Sequence, residues 1–93
     1  MKSRAQRLLL QLVSGREIDR DDICRELLTN PAQLERILSG EEVMSPTRQL
    51  CLAALVVERV PRLARKGHAL RAQTLAAISY GEGRTESHST PWK

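Results

Sequence analysis

The sequence predicts an all-α protein, a compact bundle of five short helices. Apolar residues recur at spacings of three and four, which is the period of an amphipathic helix, and no alternating strand pattern is visible. An Asn-Pro pair at 30–31 and a Ser-Pro pair at 45–46 are typical helix starts. The chain has one tyrosine, one tryptophan and no phenylalanine. Its core must therefore be built from aliphatic residues, which favours packed helices over a sheet.

The first two helices are predicted from their apolar faces and their ends. The first ends near Ser14-Gly15, because glycine favours the left-handed turn that terminates helices. The second begins at Asp19, a good N-cap that is followed by further acids near the positive end of the helix dipole. The predicted buried faces are Ala5, Leu8, Leu9, Leu12 and Val13 in the first helix, and Ile23, Cys24, Leu27 and Leu28 in the second.

The next two helices both begin at a polar residue followed by proline. The polar side chain accepts from a free amide, and proline has no amide that needs a partner. The third helix starts at Asn30-Pro31 and ends at Gly40, and the fourth starts at 45–46. The fourth helix is apolar over a wide arc, 50–57, so we expect it at the centre of the bundle. The inner face of the third helix is Leu34, Ile37 and Leu38.

Pro61 separates the fourth helix from a fifth, which is predicted over roughly residues 62–80. Gly67 lies inside it, where glycine costs about 1 kcal/mol relative to alanine. Residues 81–93 are polar and rich in helix breakers, so we expect a flexible tail after a single helical domain over 1–80. The inward residues of the fifth helix are Leu63, Leu70, Leu75 and Ile78.

The net charge of +4 is unevenly distributed along the chain. Residues 1–7 carry three bases and no acid, and residues 59–71 carry five bases and no acid. Residues 16–42 carry four bases against eight acids. The sequence is therefore basic towards both ends and acidic in the middle.

The N-terminal apolar run is short and is interrupted by Gln11, which indicates an amphipathic helix rather than a signal peptide. Cys24 and Cys51 each lie inside an apolar helical pattern, as expected of core residues in a reducing compartment. We therefore expect a cytoplasmic protein without a membrane span. His68 and His88 have no metal-ligand partners at suitable spacing, and no nucleophile–base set is visible. The sequence thus predicts no enzyme, no metal and no cofactor.

The centre of the chain carries a recognisable pattern of positions. Asp19 stands at a helix cap, Ile23-Cys24 at an apolar pair, Leu34 at a buried position, and Ser39-Gly40 before a polar-Pro helix start. With this pattern the run IDRDDICRELLTNPAQLERILSGEEVMSPTRQLCLAALV, residues 18–56, resembles the helix-turn-helix domain of the phage repressor and Cro-type (XRE) family. The resemblance implies a helix-turn-helix at about residues 19–39.

The resemblance implies a small sequence-specific DNA-binding transcriptional regulator of the repressor type. In such a domain the second helix of the motif enters the major groove of double-stranded DNA, and a homodimer spans two successive grooves. Glutamine can read adenine and arginine can read guanine, while Arg20 is placed to reach a phosphate. The DNA contacts that the resemblance implies are Arg20, Asn30, Ala32, Gln33, Arg36 and Ser39. The fifth helix is the expected dimerisation element, through Leu63, Leu70 and Leu75.

Three features depart from the family pattern. Leu28 stands at the turn glycine, where a left-handed backbone is unfavourable for it, and Pro31 donates no hydrogen bond. Glu41-Glu42 stand where the family commonly places bases, and carboxylates there repel phosphates. The basic clusters compensate only if the fold brings one of them onto the same face. The alternative is a protein–protein interaction module, an adaptor or anti-regulator on a helix-turn-helix-like scaffold without DNA binding. Its partner would dock on the acidic 17–42 surface or take the fifth helix into a groove.

Overall fold

A computed structural model describes residues 3–89 of the chain, with side chains described as far as residue 79. Five α-helices follow one another, and no strand occurs within the described range. A short 3-10 turn precedes the last helix. The predicted all-α bundle of five helices is confirmed. The elements are α1 (Arg4–Gly15), α2 (Arg20–Glu26), α3 (Pro31–Ser39), α4 (Pro46–Arg59), the 3-10 turn (Pro61–Leu63) and α5 (Ala64–Ser89).

The helix starts follow from local capping. The Asn30 side chain accepts a hydrogen bond from the Gln33 amide at 2.8 Å, and the Ser45 hydroxyl accepts from the Arg48 amide at 3.3 Å. Asp19 stands at the N-cap of α2 with extended backbone, but its side chain makes no capping hydrogen bond. Both predicted proline starts are therefore confirmed by their capping contacts.

The helix ends differ in one detail from the prediction. Gly40 ends α3 in the left-handed conformation with φ of 90°, as predicted. Gly15 is the last residue of α1, and it is Arg16 that takes the left-handed conformation, with φ of 59°. The predicted end of the first helix near Ser14-Gly15 is thus confirmed, but the left-handed residue is Arg16 and not the glycine.

α4 lies at the centre of the bundle, in contact with α1, α2 and α5. It contributes Leu52, Ala53, Leu55 and Val56 to the core. Leu28 was predicted to be buried in α2, which is wrong, because α2 ends before it and the side chain is 70% exposed. Both cysteines are free thiols; Cys24 is buried and Cys51 packs against the core.

Gly67 brings α4 and α5 into close contact. A Cβ atom built on Gly67 would lie 2.5 Å from Val56 Cγ2 and 3.0 Å from the carbonyl oxygen of Ala53. The residue is itself buried. Because any larger side chain would push the two helices apart, the glycine costs helix propensity but permits the packing.

The helical backbone of α5 continues to Ser89, past the predicted end near residue 80. The flexibility predicted for 81–93 stays a prediction, and residues 90–93 lie outside the described range. No helix in the described part of the chain has the length and apolar character needed to cross a bilayer.

Candidate nucleic-acid interface

The turn between α2 and α3 keeps a left-handed residue even though that residue is leucine. Leu28 has φ of 56°, and its amide donates to the Arg25 carbonyl at 3.3 Å. The next amide, of Thr29, donates to the Cys24 carbonyl at 2.8 Å. This pair of hydrogen bonds is the Schellman arrangement that normally selects glycine. The turn therefore keeps the geometry that normally selects glycine, although a leucine stands there.

Arg48, from α4, braces this turn. Its Nε donates to the Leu27 carbonyl and its Nη2 to the Leu28 carbonyl, each at 3.1 Å. These carbonyls lie at the end of α2, where no later helical amide can reach them. The sequence prediction missed Arg48. The available signal was a base in the first turn of a helix, where the helix dipole disfavours positive charge.

Glu42 holds both of the predicted base-reading side chains. Its Oε2 accepts from Gln33 Nε2 at 2.6 Å, and its Oε1 accepts from Arg36 Nε at 3.2 Å. These two hydrogen bonds, the one from Gln33 first, lower the pKa of Glu42. We call these three residues the Glu42 cluster. The carboxylate thus engages one donor atom of each residue that was predicted to face the bases.

The other end of the Gln33 amide is also engaged. Its Oε1 accepts from the Thr29 hydroxyl at 2.5 Å and from Arg48 Nη2 at 3.4 Å. Gln33 is only partly exposed. Reading adenine requires both amide atoms of a glutamine at once, so Gln33 would have to leave these partners to do so.

Arg20, the predicted phosphate contact, forms an ion pair with Glu35. The pair joins α2 to α3 across their outer surface, with the Arg20 side chain 56% and the Glu35 side chain 61% exposed. Exposed ion pairs contribute only about 0–1 kcal/mol, so Arg20 can exchange partners. The Glu35 carboxylate nevertheless stays beside any phosphate that would replace it.

The remaining predicted contacts are small or have structural roles. Asn30 caps α3, and the Ser39 hydroxyl donates to the Arg36 carbonyl at 3.0 Å. Ala32 is exposed and offers only its methyl group. The structure therefore brings the predicted residues together on and beside α3, with no unengaged polar reader among them.

The basic clusters meet each other instead of joining α3. Arg4 and Arg7 of α1 line a groove together with Lys66 of α5. A different side of α1 faces α3, where Gln6 Nε2 donates to the Leu38 carbonyl at 3.1 Å. These three cations therefore do not lie on the face of α3, and they do not compensate the acids beside that helix.

Arg62 is a further base of the second cluster, and it binds Glu17 through two hydrogen bonds of 2.6 and 2.7 Å. This contact lowers the pKa of Glu17 and raises the pKa of Arg62. Arg62 is therefore paired with Glu17, one of the acids of residues 16–42.

Ion pairs neutralise only some of the acids on the 17–42 surface. Four exposed acids within 17–42 make no salt bridge among the described residues, whereas each of the three bases in that range has one. Leu28 is 70% and Val43 is 86% exposed, one before and one after α3. The helix pair thus carries negative charge and exposed aliphatic groups. The four acids are Asp19, Asp21, Glu26 and Glu41.

The residues predicted to form a dimer interface lie mostly in the core. Leu63 is 3% and Leu70 is 1% exposed, so neither can contact a second copy of the folded chain. Leu75, which was also predicted to point inward, is 36% exposed. Of the three residues predicted to form the dimer interface, only Leu75 on α5 is therefore accessible to a second copy.

No group of three or more His, Cys, Asp or Glu side chains in the described residues is arranged to hold a metal ion. The resemblance to the repressor family rests on the sequence pattern of 18–56 alone. Compared with known protein families, curated proteins and solved structures, the chain has no significant match.

Proposed function

We propose that the protein is a small cytoplasmic interaction module, an adaptor or anti-regulator on a helix-turn-helix-like scaffold. Its acidic 17–42 surface docks a basic protein partner. The observation that carries this proposal is the Glu42 cluster, in which one carboxylate engages both Gln33 and Arg36. To read DNA, Gln33 and Arg36 would have to leave Glu42, and the carboxylates of Glu35, Glu41 and Glu42 beside them would repel phosphates.

The exposed aliphatic residues support the same function. Charged surface alone gives long-range attraction, whereas stable protein contacts also need apolar anchors that are buried on binding. Leu28 and Val43 supply such anchors at the two ends of α3. A partner helix with basic and aliphatic faces has the matching chemistry.

Double-stranded DNA binding is the second candidate, and the turn favours it. Leu28 keeps a left-handed conformation that costs a leucine about 1–2 kcal/mol. A turn retained at that cost is expected where the crossing of α2 and α3 matters, as in a DNA-reading pair of helices.

A DNA titration separates the two candidates. We expect no binding of generic duplex DNA at low salt by the natural chain. The variant Glu35→Gln/Glu42→Gln, which frees the candidate readers, should gain salt-sensitive binding. Binding by the natural chain that weakens steeply with salt and falls on Arg20→Ala would establish the DNA function instead.

A peptide titration tests the interaction function directly. The probe is a synthetic amphipathic Lys/Leu helix, and its control is the same peptide with Glu in place of Lys. Amide NMR shifts in α2 and α3 should saturate with the Lys peptide only. Asp21→Lys should weaken binding, and Glu58→Lys, an exposed acid on α4, is the matched control. Equal weakening by both would exclude a localised docking surface.

A further inference from the structure

A groove between α1 and α5 gathers cationic side chains. It has a volume of about 280 Å³ and is lined by Arg4, Arg7, Leu8, Gln11 and Lys66. Arg4, Arg7 and Gln11 are spaced by three and four residues, so they share one face of α1. Lys66 comes from the first turn of α5. We call this the α1–α5 groove.

Lys66 is held across the groove rather than extended into solvent. Its Nζ donates to Gln11 Oε1 at 2.9 Å. A lysine that is already ordered loses less side-chain entropy when it binds an anion than a freely rotating one does. The contact still leaves two of the three ammonium protons for a ligand.

The positive charge of the groove is not neutralised within the described residues. No carboxylate lines it, and Arg4, Arg7 and Lys66 make no salt bridge there. This contrasts with Arg20, Arg36 and Arg62, each of which has a glutamate partner. Cations that line one concave surface focus their field and attract anions.

We propose that the α1–α5 groove binds the phosphate group of a small phosphate monoester. Two arginines offer forked donors that match phosphate oxygens, and Lys66 adds a third charge. Leu8 also lines the groove, and because it is almost fully buried it leaves only a small aliphatic area for a short organic group.

Size and lining select this ligand class over larger anions. The volume of about 280 Å³ lies just below the range for ligand pockets, roughly 300–1,000 Å³. No aromatic side chain lines the groove, whereas sites for single-stranded nucleic acid stack bases on aromatic rings. The ligand is therefore small, anionic and without a stacked base.

The test is an NMR titration at constant ionic strength with inorganic phosphate, glycerol 3-phosphate and glycerol. Both phosphates should give saturable shifts at the amides of Arg7, Gln11 and Lys66, the ester at lower concentration, while glycerol gives none. Arg7→Gln and Lys66→Gln should each weaken ester binding about tenfold. Arg65→Gln removes the same charge from an exposed residue of α5 outside the groove, and should change the affinity by less than about twofold.

Four results would overturn the proposal. The first is the absence of saturable shifts with either phosphate. The second is equal weakening by Arg65→Gln and Lys66→Gln, which would show only long-range attraction. The third is equal affinity for inorganic phosphate and the ester. The fourth is displacement of the ester by duplex DNA at much lower concentration, which would make the groove a nucleic-acid surface. Melting curves of each variant confirm that it folds.

Discussion

Leu28 adopts a backbone conformation that leucine rarely takes, and its neighbours explain why. The Schellman hydrogen bonds of α2 require a left-handed residue at this position, and Arg48 holds the carbonyls of Leu27 and Leu28 from the other side. The side chain itself points into solvent. The strain is thus imposed by the backbone contacts around the leucine and is not offset by burial of its side chain.

Leu28→Gly should stabilise the protein. Removing the left-handed strain gains about 1–2 kcal/mol, and the greater freedom of glycine in the unfolded chain offsets about 0.5–1 kcal/mol of this. We expect a higher urea midpoint with an unchanged slope. Leu28→Ala is the control, since it removes the exposed side chain and keeps the strain. A glycine variant no more stable than the alanine variant would contradict the strain argument.

Glu42 should make part of the stability dependent on pH. Its pKa is lowered in the folded chain by the hydrogen bonds from Gln33 and Arg36, so its contribution is present above the unfolded glutamate pKa. That contribution is lost as the pH falls through the folded pKa. We therefore expect Glu42→Gln to be less stable than the natural chain at neutral pH.

The difference should shrink in acid, as followed by urea unfolding at a series of pH values. Glu41→Gln removes the same charge from a neighbouring acid without a salt bridge among the described residues, and is the matched control. A difference between Glu42→Gln and the natural chain that persists unchanged in acid would rule out the carboxylate as its source.

At the scale of elements, α4 and α5 depend on a contact that helix propensity alone would not favour. Gly67 lies against Ala53 and Val56 with no space for a side chain. From the sequence alone, this glycine is a weak position in its own helix. In the structure, Gly67 allows α4 and α5 to pack closely. This role depends on residues of another helix and cannot be read from the local sequence.

Gly67→Ala should destabilise the protein, although the same change in an isolated helix gains about 1 kcal/mol. The added Cβ would overlap Val56 Cγ2 and crowd the Ala53 carbonyl, so we expect a loss of about 1–3 kcal/mol in thermal or urea unfolding. Ala72→Gly at an exposed site of α5 gives the propensity scale for the same helix. Stabilisation by Gly67→Ala would show that the two helices can separate freely.

The helices themselves could be predicted because their start signals are local. Asn30 and Ser45 each cap an amide three residues away, so a short stretch of sequence contains the whole interaction. The Glu42 cluster and the Arg48 brace could not be found in this way. Arg48 reaches the turn across 20 and 21 positions of sequence, and that contact exists only once α2 and α4 cross.

At the scale of the whole molecule, charge is separated by face rather than only by sequence. The α2–α3 pair carries acids without ion pairs in the described residues, and the α1–α5 groove carries three cations that likewise have none there, Arg4, Arg7 and Lys66. A net charge of +4 therefore describes neither surface. The two proposed sites therefore lie on different elements, and each calls for a ligand or partner of opposite charge.

Self-association remains a prediction, and its most accessible residue is Leu75. If α5 pairs with a second copy, Leu75→Glu should convert a dimer to a monomer in light scattering, because a buried charge in the interface is costly. Ala72→Glu, also exposed on α5, is the control for added charge alone. A monomeric natural chain at all concentrations would exclude the dimer.

The contact at Gly67 also has a mechanical consequence. α5 is 26 residues long, about 39 Å, and its described core contacts end near Leu70 and Thr74. α5 is thus held against α4 near Gly67, where the two backbones lie close together. A force on the C-terminal part of α5 would act first on α4. Arg48 of α4 donates hydrogen bonds to the turn between α2 and α3. A displacement of α5 would thereby reach the left-handed residue Leu28 through α4 and Arg48.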